Sequence, residues 1–166
     1  MSEKRKIALT DEKKQEFTRR ITQANKSQLV VILYDLFFYY IDEAKERLSQ
    51  GDPKEFGKEL ERAHACLNEL IGSLHMEQPL AQSIYRVYLF VSGQLGLAKG
   101  KRNDAPLTDA VRLMRKLYET YKADAACDTS GPVMGNVQTV VAGMTYGRSD
   151  VTESCQASDY NRGFLA

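Results

Sequence analysis

The chain has 166 residues, 43% of them apolar and 27% charged, with a net charge of +1. That length fits one domain with a real hydrophobic core, and the near-neutral balance does not point to nucleic acid or an anionic membrane as partner. The N-terminus, MSEKRKIALTDEKKQEF, lacks a signal-peptide apolar run, no stretch reaches the about 20 apolar residues that span a bilayer, and three cysteines without metal-ligand spacing favour a reducing cytoplasm.

Charge is unevenly spread: +3 over residues 1–20, −2 over 21–100, +3 over 101–122 and −3 over 123–166. Each basic cluster reads first as a solvated face. Contact between the acidic tail and the basic fourth bundle helix is the alternative.

Thr10 to about Ala24 reads as a short helix. Phe17, Ile21 and Ala24 fall at i, i+4 and i+7, a narrow apolar stripe. A segment with so little apolar area docks weakly and can come off.

Asn25-Lys-Ser-Gln28 has the form of a capping box. It opens a helix to about Ser49, ended by Gly51, a residue free to take positive φ. Within it lies LVVILYDLFFYYI, residues 29–41, apolar or aromatic at every position except Asp35. A surface helix needs an apolar stripe on one side only. This one is apolar all round, so it is either buried on all sides or keeps one face for a partner. Asp35 needs a cation or solvent to offset its burial. Arg19, Arg20 and Arg86 are the candidate partners.

Asp52-Pro53-Lys-Glu55 marks the next N-terminus, with Asp as cap, Pro at the first position and Glu55 completing a box. Phe56, Leu60, Ala63, Leu67 and Leu70 continue at helical spacing toward His75. Pro79 starts a further helix to about Lys99, striped by Leu80, Ile84, Val87, Val91 and Leu95. Gly93 and Gly96 are expected to admit a close backbone. After a polar connection, Leu107, Val111, Met114, Tyr118 and Tyr121 mark the last helix, to about Ala126. Four helices of about 20–25 residues, each roughly 30–37 Å long, joined by short loops, predict an all-α fold. Its form is an antiparallel up-down four-helix bundle with a short N-terminal helical segment and an irregular C-terminal tail. The divisions are 1–24, a displaceable segment; 25–126, the bundle; and 127–166, the tail.

The tail is rich in Gly, Ser and Thr, yet holds an apolar island: Val133, Met134, Val137, Val140, Val141, Met144 and Tyr146. Disordered segments are usually poor in such residues. The island therefore reads as a tethered binding segment, with two helical turns around Val133 to Gly143. Its expected seat is an apolar groove that a partner would also use, or the last helix; homodimer contact and simple disorder are the rivals.

No phosphate-binding glycine loop, nucleophile elbow or CxxC is present. Glu61-Arg-Ala-His64 matches the Glu-x-x-His pattern of di-iron bundles, but that site needs a second copy, and His75 has Gly72 three residues before it. A solvated Glu61 and a His64 at the edge of a core stripe are the expectation, with no metal, no cofactor and no enzymatic activity. The aromatics Tyr34, Phe37, Phe38, Tyr39, Tyr40, Tyr85, Tyr88 and Phe90 suit either a core and its rim or a surface that is sometimes covered.

Ile21-Thr-Gln-Ala-Asn25, followed by Gln28-Leu-Val-Val-Ile-Leu-Tyr-Asp35, resembles the start of the flagellar export chaperones called FliS. Ala24-Asn-Lys-Ser27 stands at that family's Thr-Ala-Ser-Pro-like cap, and Leu33-Tyr34-Asp35 at its Leu-Tyr-Asp-Gly motif. The Glu69-Leu70 turn, Leu74-His-Met-Glu77 and Ala81-x-x-Ile84-Tyr85-x-x-Tyr88 are similar to its second and third helices. The likeness covers roughly residues 17–124. Leu36 stands where the family usually has glycine, Phe17 lies near an N-terminal tyrosine, and the tail runs past the usual end.

The resemblance implies an antiparallel helical bundle in the cytoplasm that binds the disordered C-terminal segment of flagellin. It implies a role in preventing premature polymerisation and in delivering the subunit for secretion. Helices apolar on more than one face can offer grooves to such a client. The residues expected to meet it are Phe17, Ile21, Leu33, Tyr34, Leu36, Tyr85, Tyr88 and Leu95. The export apparatus and a second copy of the chain are further candidate partners; nucleic acid and membrane insertion are not expected. The alternative is a non-enzymatic structural or adaptor bundle that homodimerises.

Overall fold

The computed structural model describes residues 2–135, with side chains from residue 11 onward. These residues form five helices and no strand: α1 (Ser2–Gln23), α2 (Lys26–Ser49), α3 (Pro53–Gly72), α4 (Pro79–Lys101) and α5 (Leu107–Cys127). Most of the apolar island, Cys155 and the Phe164-Leu165-Ala166 end lie outside the described residues.

The local signals set the helix ends. Asn25 caps α2 and forms the full capping box: its side chain accepts from the Gln28 N–H, and the Gln28 side chain accepts from the Asn25 N–H. Gly51 follows at φ 76°, the left-handed conformation that favours glycine. Asp52 accepts from the Glu55 N–H and Pro53 takes the first helical position. The expected second half of that box is replaced by an ion pair, in which Glu55 meets Lys58 at 2.5 Å one turn on. The N-terminal helix is longer than its apolar stripe predicts, beginning at Ser2 rather than near Thr10. Its added turns are SEKRKIAL, in which backbone propensity outweighs the weak apolar periodicity.

Helix α2 packs against α3 and α5, and α4 packs against the same two, so α2 to α5 enclose the core. Tyr34, Phe37 and Ile41 from α2 meet Phe56, Leu60 and Leu67 from α3, Tyr88, Val91 and Leu95 from α4, and Leu107 and Met114 from α5. Among the described residues, α1 stands outside this ring and its backbone packs on α2. It folds back along α2, because Arg20 pairs with Asp35 while the Phe17 ring lies 6.1 Å from that of Tyr39.

The all-round apolar α2 thus has two coverings. Ile32, Tyr34, Phe37, Ile41 and Ala44 are buried. Leu36 and Tyr39, on another side, lie beneath α1. Among the described residues the expectation for Gly93 and Gly96 is not met: a Cβ at either would meet nothing within 4 Å, so no described backbone approaches them. The buried glycine is Gly57, where the Lys99 stem lies 3.7 Å from an added Cβ.

Candidate functional site

Between α1 and α2, reaching the start of α3, lies a cleft of about 860 Å³. Phe17 and Ile21 form one wall, and Leu36, Tyr39 and Tyr40 the other. The rim is charged and mixed in sign: Lys13, Lys14, Arg47 and Arg62 face Asp11, Glu43, Glu55 and Glu59. An apolar floor with a polar rim is the usual anatomy of a protein-binding surface.

Asp35 finds its cation in Arg20, so the exception inside the apolar run fastens α1 to α2. The pair is partly exposed. It therefore orients the helix more than it holds it, since such pairs are worth about 0–1 kcal/mol. Glu59 is buried at 5% exposure and is satisfied by Arg62 at 2.6 Å. Burial pushes the Tyr40 phenol above its ordinary range, with Glu59 adding to the shift and Arg62 opposing it.

The eight residues expected to meet a client fall into two groups. Phe17, Ile21 and Leu36 line the cleft together. Tyr34, Tyr88 and Leu95 are core residues at 0%, 1% and 2% exposure. Leu33 packs on that core, and Tyr85 is half-buried. Tyr34 and Tyr88 share a hydrogen bond of 2.6 Å between their hydroxyls. Burial pushes both phenols far up, so neither is an acid or base at ordinary pH. Burial likewise lifts the Cys66 thiol to about 11, which leaves it unreactive. Tyr39 and Tyr40 complete the cleft wall; their signal was the unbroken aromatic run after Phe37.

Both residues of the Glu61-x-x-His64 pattern have partners on α4. Glu61 pairs with Lys99 at 2.5 Å, and His64 Nε2 hydrogen-bonds Ser92 Oγ at 2.8 Å, both across α3 and α4. No group of three His, Cys, Asp or Glu among the described residues could hold a metal ion. Among them, no helix is long and apolar enough to cross a membrane.

A second set of contacts was not legible in the sequence. Beyond α5 the chain doubles back over the α1–α2 junction. The Asn25 amide donates to the carbonyls of Asp128 (3.1 Å) and Ser130 (3.2 Å). Ser27 Oγ donates to Asp128 Oδ2 at 2.5 Å, and the Val133 N–H donates to the Ala24 carbonyl at 3.0 Å. Hydrogen bonds from Ser27 and Ser130 hold the Asp128 carboxyl down to about 2. Its folded value is depressed from 3.8, so its contribution is present above pH 3.8 and is lost as pH falls through about 2. Carbon-detected NMR should place its titration near 2, and Ser27→Ala should move it upward. An ordinary midpoint in the unaltered protein would rule the contact out.

These features define an all-α protein with an apolar cleft beneath a peripheral helix. Residues 9–127 match the family model described as flagellar protein FliS, and the chain belongs to that family. Membership gives it a flagellar export chaperone role. The match begins within α1 and ends at the last residue of α5, so it takes in the cleft helix as well as the core. No curated protein matches the chain.

Proposed function

We propose that this chain is a cytoplasmic export chaperone that binds the disordered C-terminal segment of flagellin. In this reading it keeps the subunit from polymerising and presents it to the export apparatus. Helices α2 to α5 form an antiparallel up-down bundle over residues 25–126, and residues 1–24 are a displaceable segment. The observation that carries the reading is the cleft of about 860 Å³ under α1. An amphipathic client helix satisfies such a surface through its apolar positions. Leu36 meets the client on the α2 wall, and Phe17 and Ile21 of α1 occupy that face until the client displaces them. Tyr34, Tyr88 and Leu95 support that surface from within, with Leu33 and Tyr85 at the margin. A client that orders on binding loses conformational entropy, so broad apolar contact must supply the affinity.

Intact flagellin should form a 1:1 complex, measured as mass in solution, and flagellin lacking its C-terminal region should not bind. Equal affinity for the truncated subunit would sink this recognition mode. A second reading, the homodimerising adaptor, is favoured by Leu89, Phe90 and Leu97, which lie 44–49% exposed on α4. An unchanged homodimer in the presence of flagellin would support it instead.

A further inference from the structure

A second cleft, of about 460 Å³, lies on the other side of α1, where α1, α2 and α5 meet. Ala24, Val31, Ile32, Ala125 and Ala126 line it together with Gln23, Gln28, Arg20 and Lys122. Its apolar walls are made largely of small side chains, so it suits small apolar groups rather than aromatic rings. The flagellin reading makes no use of it.

The chain itself arrives at this cleft. Hydrogen bonds donated by Asn25 and Ser27 bring residues 128–130 to the α1–α2 junction, and the Val133 N–H donates to the carbonyl of Ala24, a cleft residue. Val133 and Met134 are half exposed there, at 50% and 52%. The sequence beyond them continues apolar, with Val137, Val140, Val141 and Met144 at intervals of three and four, and no charged residue occurs between Asp128 and Arg148. An extended chain covers about 3.3 Å per residue. Residues 134–141 can therefore span more than the roughly 12 Å that separates Ala24 from Ile32 along the helix. Short reach also means a high effective concentration, about millimolar for a short linker, so even weak contact is populated.

We infer that residues 137–146 of the same chain seat valine side chains in the cleft between α1, α2 and α5, with residues 128–133 as their anchor. The occupant follows from where the chain leaves the described structure and from the match of valines to the alanine, valine and isoleucine side chains of the cleft. The seated segment braces the α1–α2 junction. This inference stands apart from the flagellin reading, and its test uses no client.

The test is backbone-amide hydrogen exchange with resonance assignment on the full chain, beside a full-length variant carrying Val140→Asp and Val141→Asp. Both changes lie beyond α5, so helices α1 to α5 serve as an internal control. Amides of residues 137–146 should exchange at least about tenfold more slowly than those of 150–166. The variant should abolish that difference and move the resonances of Val31, Ile32 and Ala125. Equal exchange rates in the unaltered chain would overturn the inference. So would changes confined to the Tyr39 and Tyr40 cleft, or protection with no change in either cleft. Protection that disappears on dilution would place the segment on a second copy and overturn it as well.

Discussion

Tyr88→Ala is expected to destabilise the fold by about 3–5 kcal/mol, the usual cost of truncating a buried aromatic. For a domain of this size that lowers the melting temperature by roughly 10–20 °C. The ring is 1% exposed, so its loss leaves a cavity among residues of α2 and α4 rather than a gap on the surface. It also strands the Tyr34 hydroxyl, itself fully buried and bonded to Tyr88 at 2.6 Å. Tyr88→Phe separates the two effects. It keeps the ring and should cost about 1–2 kcal/mol for the orphaned hydroxyl. Thermal melting of both variants, with client binding scaled to the folded fraction, gives the reading. Unchanged stability in Tyr88→Ala with lost binding would return Tyr88 to a groove that opens in solution.

The same residue shows where sequence reading reached and where it stopped. Tyr88 lies on an apolar stripe at helical spacing, and periodicity marks that stripe as facing something. It does not say whether the neighbour is the chain's own core or a client, because both demand the same residue types. Helix limits were legible for a different reason. The Asn25 box, Gly51 and the Asp52-Pro53 start act within one turn, and each is visible in a few adjacent letters. Asp35 was half legible: an acid inside an apolar run requires a cation, but three arginines could supply it. The fold-back of α1 selected Arg20. The Asn25 contacts to Asp128 and Ser130 span more than 100 residues and use common polar side chains. No local pattern announces them. Asn25 is the cap its local pattern predicts, and its second use emerges only when the end of α5 is placed beside the start of α2.

Removal of residues 1–23 is expected to raise flagellin affinity about tenfold to thirtyfold. Helix α1 packs chiefly on α2, and its described attachments are few: the Phe17 contact with Tyr39, the Arg20 pair with Asp35, and Ile21 against a cleft it only partly fills. An aromatic pair adds about 0.5–1.5 kcal/mol beyond its area and a part-exposed ion pair about 0–1 kcal/mol. A closed state favoured by about 1.4–2 kcal/mol leaves the α2 face open for roughly 3–10% of the time. Apparent affinity is reduced by that open fraction, and deletion restores it. The cut leaves Ala24 and the Asn25 cap, so α2 keeps its N-terminal hydrogen bonds. Titration calorimetry and stopped-flow mixing with intact flagellin measure the effect, and the on-rate should rise with the affinity. Phe17→Ala should move both in the same direction by a smaller factor, because Arg20 and Ile21 remain. Weaker binding by a folded deletion protein would mean that Phe17 and Ile21 touch the client themselves, and that α1 is part of the binding surface rather than its cover.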